Sequence, residues 1–229
     1  MQNHSRRLLL AGLFASAAAP AFAQQPFFGQ FTQQEATRAL REALTLASNS
    51  ATQQLGRPSG FWSDLNVRIP LPGVLGQSQS TLARFGMSAP LDNLQQSLNS
   101  AATTTMPRAA TMFVDAVRTI TIADAINIVR GGSDSATQFL RGRTETGLTR
   151  LLKPVMRDAL TQSGAFTLMR TALREVGLAS MTTQLRTEVT DFSTLKALDG
   201  CFQYIAREER AIRGNPARRT TDTLRRVFG

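Results

Sequence analysis

The sequence predicts an all-α protein, an irregular domain of about nine helices with one extended, proline-containing loop near residues 60–72. Apolar residues recur at spacings of three and four along most of the chain, a period that places them on one face of a helix. Capping residues and Gly or Pro stops separate these segments at short intervals. The sequence has no run of alternating apolar and polar residues of the kind that indicates β-strands.

The first helix signal begins at Thr32. The segment that runs from Thr32 to Glu35 fits a capping box, in which the Thr hydroxyl and the Glu carboxylate each accept a hydrogen bond from an otherwise unpaired amide. Apolar residues follow at helical spacing as far as Leu55, and Gly56 and Pro58 then end the helix.

Residues 60–72 are the clearest non-helical segment and contain the single Trp, Trp62. Pro70 and Pro72 favour an extended chain, because proline disfavours the helical conformation in the residue before it. Residues 67–69 fit either a short strand or a tethered loop.

Helical patterns fill most of the chain after this loop. We predict that Pro107 breaks or kinks one helix and that Pro154 bends another, since proline removes a backbone donor. Residues 135–141 are predicted to form a separate short helix, and the Thr-rich residues 178–190 are ambiguous.

Two acids are interpreted as helix starts. Asp124 and Asp191 each precede an apolar periodic segment, and a carboxylate is favoured near the positive end of the helix dipole. Residues 214–216 (Gly-Asn-Pro) close the long helix that follows Asp191, and Thr220 or Thr221 caps the last turn.

Residues 1–23 have the pattern of a secretory signal peptide. Two arginines precede a short apolar run, and Ala21-Phe22-Ala23 supplies the small residues of a cleavage site after Ala23. The run is too short to cross a hydrocarbon layer of ~30 Å as a helix. The paired arginines also fit a twin-arginine export signal, so the Sec and twin-arginine routes both stay open. Either route predicts a periplasmic protein.

The predicted mature chain has a simple organisation. Residues 24–31 are interpreted as a flexible tail and residues 32–229 as a single helical domain. A chain of this length can bury roughly 70% of its unfolded surface in one core.

Histidine usage excludes several kinds of chemistry. The only histidine, His4, lies in the predicted signal peptide, so residues 24–229 contain none. This excludes Ser–His–Asp and Cys–His catalysis as usually built, and zinc sites that need His or several Cys ligands. Cys201, the single cysteine, follows the helical apolar pattern and is interpreted as a buried packing residue. We predict no cofactor, metal or catalytic residue.

The chain is strongly basic, with a formal net charge of +10 and a pI of ≈ 11.4. Such a charge is typical of nucleic-acid-binding proteins. The export signal, the single Trp and Tyr, and the lack of a recognisable binding motif argue against a nucleic-acid partner. The partners that we expect instead are molecules of the cell envelope.

A candidate anion site lies at the start of the helix predicted after residue 134. The segment 131–135 reads Gly-Gly-Ser-Asp-Ser, and amide groups at a helix N-terminus bind anions. An ordinary turn between helices has the same sequence, so that alternative stays open. The residues assigned to this site are Ser133, Thr137, Arg141, Arg143 and Thr144.

A second candidate is the stripe formed by Arg207, Arg210 and Arg213, whose spacing places them on one face of a helix. Arginine binds carboxylates and phosphates bidentately, so the stripe fits a lipid, lipopolysaccharide or peptidoglycan component. The alternative is a solvated face partly neutralised by Glu208 and Glu209, because exposed ion pairs contribute only ~0–1 kcal/mol.

Acidic residues raise the hypothesis of a carboxylate-dependent hydrolase. Glycan cleavage needs two carboxyl groups that face each other across a cleft. Nothing in the spacing of the acids indicates which of them meet. The acids considered are Asp64, Asp115, Asp124, Asp199, Glu208 and Glu209.

Short blocks spread over the chain carry a family resemblance, and they occur in order from about Ala36 to Gly229. The chain resembles the uncharacterised family labelled domain of unknown function 4197, found mostly in secreted proteobacterial proteins. The resemblance implies a signal peptide and no assigned activity. The blocks are Leu55–Phe61, Ile69–Pro72, Leu98–Ala102, Phe113–Ala116, Ala136–Phe139, Ala197–Gly200, Glu208-Glu209, Ile212-Arg213, Arg219–Asp222 and Val227–Gly229.

Taken together, these observations predict an exported helical protein that binds an apolar or anionic cell-envelope molecule or acts as a structural or interaction protein. The alternative is a carboxylate-dependent hydrolase acting on envelope polymers. A scaffold role would require an exposed apolar patch of more than a few hundred Å².

Overall fold

The computed structural model describes residues 31–119 and 121–229. The predicted signal peptide and residues 24–30 of the predicted tail lie outside the described residues, while Phe31 packs against the core. Within the described ranges the protein is all-helical, as predicted, with eight α-helices and no strand. The helices are α1 (Gln33–Leu55), α2 (Gly73–Ala83), α3 (Ala89–Thr119), α4 (Ala125–Arg130), α5 (Ser135–Gln162), α6 (Ala165–Glu175), α7 (Thr182–Gly214) and α8 (Asp222–Phe228).

The four long helices α1, α3, α5 and α7 form a closed bundle. α1 and α5 each pack along both α3 and α7, whereas the diagonal pairs α1–α5 and α3–α7 make little contact. The short helices cover this bundle: α6 and α2 lie on α3, and α4 and α8 lie on α1. Among the described residues, no helix is both long and apolar enough to cross a membrane.

The N-terminal cap of α1 is the predicted capping box. The Glu35 amide donates to Thr32 Oγ1 at 3.2 Å, and the Thr32 amide donates to Glu35 Oε2 at 2.8 Å. These hydrogen bonds from Thr32 lower the pKa of the Glu35 carboxyl. The helix ends at Leu55, as predicted.

Two prolines lie inside continuous helices. Pro107 lies within α3 and Pro154 within α5, so α3 does not break at Pro107 and the kink is the alternative that remains. An interior proline costs about 3 kcal/mol, and the burial of neighbours such as Met106 and Met156 offsets this cost. Residues 135–141 are the first turns of α5 rather than a separate helix, since the buried apolar face continues from Leu140 to Leu148.

Asp191 does not start a helix, and that interpretation is wrong. α7 begins at Thr182, because Leu185 and Val189 already supply a buried apolar face within the ambiguous segment. Asp191 lies inside α7 and forms an ion pair with Lys153 at 2.5 Å. Asp124, in contrast, directly precedes α4, as predicted.

Residues 60–72 form the predicted non-helical loop, although turns occupy most of residues 60–67, and two contacts fix it to the bundle. The side chain of Asn99 accepts a hydrogen bond from the Ile69 amide and donates one to the Ile69 carbonyl, each at 2.8 Å. Phe61 is fully buried against Gly200 of α7. The loop is therefore tethered, and no strand forms at residues 67–69.

The contact between Phe61 and α7 requires a glycine at position 200. A Cβ atom there would lie 2.8 Å from Phe61 Cε1 and 3.4 Å from Val67 Cβ. We expect Gly200→Ala to lower the free energy of unfolding by about 1–3 kcal/mol through overpacking, measured by urea denaturation.

The matched control is Gly142→Ala in α5, where an added Cβ meets nothing within 4 Å. There the gain in helix propensity should stabilise the protein by about 0.5–1 kcal/mol. Equal effects of the two substitutions would show that the loop does not depend on Gly200.

Candidate anion-binding cleft

A cleft of ≈ 420 Å³ opens to solvent between the loop of residues 60–72, α5 and α7. Three arginines and two aspartates contribute its charges, and amide and aromatic side chains complete its wall. The lining residues are Asp64, Asn66, Val67, Asp134, Thr137, Gln138, Arg141, Phe202, Gln203, Tyr204, Ala206, Arg207 and Arg210.

Asp64 is held at one side of the cleft by three hydrogen bonds. Its Oδ1 accepts from the amide and from the side-chain Nδ2 of Asn66, each at 2.9 Å, and its Oδ2 accepts from the Tyr204 hydroxyl at 2.8 Å. The hydrogen bonds from Asn66 and then Tyr204 hold the pKa of Asp64 below its ordinary value. Asp64 is therefore a carboxylate that orients the ring of Tyr204.

Tyr204 presents a neutral phenol beside this carboxylate. Burial raises the pKa of Tyr204, and its hydrogen bond to Asp64 raises that pKa further. Above the ring lies the guanidinium of Arg207, with Cζ 3.9 Å from the ring centroid. This arrangement is a cation–π contact at close range.

The three arginines of the cleft differ in how they are neutralised. Arg141 contacts Glu145 at 2.7 Å and also Asp199, and Arg210 contacts Asp134 at 2.8 Å. Arg207 has no carboxylate oxygen within 4 Å among the described residues; its Nη2 donates to the Gln54 side-chain oxygen at 3.5 Å. The guanidinium of Arg207 is therefore the cleft's most available cation.

Glu209 occupies the helix N-terminus that the sequence indicated as an anion site. Its carboxylate is only 2% exposed and accepts from the amides of Ala136 and Thr137 at 3.0 and 2.7 Å. The Thr137 hydroxyl donates to the same carboxylate at 2.6 Å. The start of α5 does bind an anion, but that anion belongs to the chain itself.

Arg213 completes this buried pair and joins it to α4. Its Nε donates to Glu209 Oε1 at 2.8 Å, and its Nη1 donates to the Val129 carbonyl at 2.6 Å. Its Nη2 donates to the Ile128 carbonyl and to Ser135 Oγ, at 3.2 and 3.0 Å. The ion pair between Glu209 and Arg213 therefore provides hydrogen-bond partners for the last carbonyl groups of α4 and for the first amide groups of α5.

The structure divides the predicted site residues among several places. Four of them line the cleft together, namely Thr137, Arg141, Arg207 and Arg210. Arg143 and Thr144 line a different groove between α3 and α5, Ser133 is exposed in the turn before α5, and Arg213 lies behind the cleft with Glu209.

Sequence reasoning missed the residues that give the cleft its shape. Tyr204, Asn66, Gln138 and Gln203 were not proposed as site residues. A usable signal was present, since Tyr204 is the single tyrosine and lies three residues before Arg207, on the same helix face. Nothing in the sequence indicated that Asp64 would meet it.

The thiol of Cys201 is buried in the core, as predicted, with Sγ 3.6 Å from Met106 Sδ. Burial raises the pKa of Cys201 to about 12, which keeps the thiol protonated and unreactive. Across the described ranges, no group of three His, Cys, Asp or Glu side chains has an arrangement suited to a metal ion.

Comparison with known proteins identifies the family. A family model described as "Protein of unknown function (DUF4197)" matches residues 30–229. The chain therefore belongs to this family, as the resemblance predicted. No curated protein and no solved structure matches it.

Replacement of Glu209 tests the buried pair. Glu209→Gln leaves the Arg213 charge without its counter-ion and offers one acceptor oxygen where two are used. We expect the free energy of unfolding to fall by about 3–5 kcal/mol, the usual cost of breaking a buried pair, as measured by urea denaturation.

The control is Asp115→Asn, which removes a well-exposed partner of Arg118 at 3.9 Å. It should change the free energy of unfolding by less than about 0.5 kcal/mol. A similar loss in both variants would contradict the structural role assigned to Glu209.

Titration of the single tyrosine tests the geometry of the cleft. Phenolate absorbance should give an apparent pKa above the ordinary ~10, and Asp64→Asn should lower it because the hydrogen-bonded carboxylate is lost. Since the folded-state pKa is raised, the interaction stabilises the protein fully below pH ~10 and is lost as pH rises through the folded-state pKa.

Asp158→Asn, which changes an exposed acid on α5, is the matched control and should leave the titration of Tyr204 unchanged. A wild-type value at or below ~10, or an equal shift in the two variants, would contradict the contact between Asp64 and Tyr204.

Proposed function

We propose that this is an exported binding protein whose cleft takes a small anionic molecule of the cell envelope, one that carries a carboxylate or phosphate group. The observation that carries the proposal is the position of Arg207. It lines the cleft, has no carboxylate partner within 4 Å among the described residues, and is held over the ring of Tyr204.

Pre-organisation favours Arg207 as the anion-binding group. The Tyr204 ring supports the guanidinium, and Asp64 fixes that ring through its hydroxyl. Arginine presents two parallel N–H donors that match carboxylate and phosphate oxygens. Holding the side chain in place before binding reduces the entropy that binding would otherwise cost.

The rest of the wall favours a polar ligand over an apolar one. Asn66, Gln138 and Gln203 are exposed amides at the cleft, and amide side chains both donate and accept hydrogen bonds. They suit the hydroxyl groups of a sugar acid or of a glycerol phosphate. The cleft volume of ≈ 420 Å³ lies within the range of about 300–1,000 Å³ that is typical of small-molecule sites.

Export is part of this proposal and is supported by the signal-peptide pattern of residues 1–23. A periplasmic location would place the cleft beside peptidoglycan and lipid headgroups. Protein recovered from the periplasm should have the mass of residues 24–229, and a mass that includes residues 1–23 would contradict export with cleavage.

The hydrolase alternative is weaker than binding. Asp64 and Asp134 do line the same cleft. However, a glycosidase needs one carboxyl that keeps its proton to act as general acid. Hydrogen bonds from Asn66 hold the pKa of Asp64 low, and Asp134 is bound to Arg210.

Two-dimensional amide NMR with glycerol 1-phosphate and with D-glucuronate tests the binding proposal. Both probes carry an anionic group and hydroxyls, and at least one should cause saturable shifts at residues of the cleft. Arg207→Gln should weaken that binding about 10- to 100-fold, the range expected for loss of a charge-assisted hydrogen bond.

Arg150→Gln is the matched control, because Arg150 is an exposed arginine on α5 that does not line the cleft. It removes the same charge and should change the affinity less than about twofold, since salt screens distant charges. Equal weakening in both variants would indicate non-specific attraction, and the absence of saturable shifts with either probe would contradict the proposal.

A further inference from the structure

The turn between α2 and α3 exposes two large apolar side chains. Phe85 is 74% exposed and Met87 is 64% exposed, and residues 83–87 are all exposed. α2 packs mainly on α3 and buries one apolar residue, Leu75. The turn therefore lies at the tip of a helical hairpin at the edge of the bundle.

The backbone of this tip is well defined by hydrogen bonds. The Met87 amide donates to the Leu82 carbonyl at 3.0 Å, and the Gly86 amide donates to the Ala83 carbonyl at 3.1 Å. Gly86 has a φ of +70°, which glycine adopts without strain. Together these features form a Schellman motif, so Phe85 and Met87 are displayed by a fixed turn.

The end of α6 shows that this motif does not itself require exposure. There the Leu178 amide donates to the Leu173 carbonyl at 2.7 Å, and Gly177 has a φ of +74°. Leu178 occupies the position equivalent to Met87 but packs partly against the core. The Schellman motif alone therefore does not explain why Phe85 and Met87 are exposed at the α2–α3 tip.

The tip carries both signs of charge, but its acid is already hydrogen-bonded. Asp92 accepts from Ser88 Oγ at 2.7 Å and from Gln79 Nε2 at 2.8 Å. The arginines of this segment are Arg68 and Arg84. Arg68 is occupied, since its Nε donates to the Trp62 carbonyl at 2.6 Å. Arg84 is exposed and directly precedes Phe85.

We propose that the α2–α3 tip binds the surface of a bilayer that contains anionic lipid. Phe85 and Met87 enter the boundary between headgroups and acyl chains, where aromatic side chains are favoured, and Arg84 binds headgroup phosphate. A narrow turn with two apolar side chains offers far less than the roughly 800 Å² per partner of a stable protein interface. A lipid surface needs no such complementary area.

Vesicle sedimentation with the full chain tests this proposal. The protein should bind vesicles of phosphatidylglycerol and phosphatidylcholine, and added salt should weaken binding because it screens the attraction. Phe85→Ser combined with Met87→Ser should reduce the bound fraction about tenfold, because interfacial binding scales with buried apolar area. Arg84→Gln should reduce binding to these vesicles and leave any binding to pure phosphatidylcholine unchanged.

The matched control is Leu151→Ser combined with Leu195→Ser, which removes two apolar side chains that are 55% and 46% exposed elsewhere. Its binding should stay within about twofold of the wild type, because these residues lie away from the interfacial contact. Circular dichroism of each variant confirms that loss of binding is not loss of folding. Equal vesicle binding by the wild type and the tip variant would overturn the proposal.

Two further outcomes distinguish lipid binding by the tip from headgroup binding by the cleft and from self-association. Arg207→Gln should bind vesicles normally, and loss of binding in that variant would overturn the proposal by assigning headgroup recognition to the cleft. Self-association of the wild type that disappears in the tip variant would also overturn it, because the tip would then contact a second copy of the chain.

Discussion

The packing of the start of α5 against α7, and with it the position of the cleft residues on α5, depends on the carboxylate of Glu209. It is buried between α5 and α7 and accepts hydrogen bonds from two amides, one hydroxyl and one guanidinium. A buried carboxylate without partners would cost several kcal/mol, so the start of α5 has to meet α7 at this point. Because Thr137 and Arg141 lie in the first two turns of α5, Glu209 also sets their positions in the cleft.

Acids of the chain itself neutralise most of the C-terminal arginines. Glu209 binds Arg213, Glu208 binds Arg218 at 2.6 Å, and Asp134 binds Arg210 at 2.8 Å. A row of cations that looks uniform in the sequence is thus largely neutralised within the fold. Arg207 differs because it stacks on Tyr204 instead of pairing with an acid.

Local sequence patterns predicted most of the helices. The features that these patterns did not predict depend on contacts between residues far apart in the sequence. The capping box at Thr32 needs only neighbouring residues, so the sequence contained all the information. Pro107 carries a local penalty, but the burial of its neighbours is a tertiary effect that spacing does not show. Two contacts that shape the site join residues far apart in the sequence. Glu209 meets Thr137 across 72 positions, and Tyr204 meets Asp64 across 140 positions. Residue type can mark each of these residues as a candidate, but it cannot show which of them are in contact.

A crystal structure of the protein with glycerol 1-phosphate would show whether the cleft, and not the start of α5, receives an external anion. We expect phosphate density within hydrogen-bonding distance of Arg207, with Glu209 still bound to the amides of Ala136 and Thr137. Phosphate at those two amides, with the Glu209 carboxylate displaced, would contradict the assignment of the anion site to the cleft.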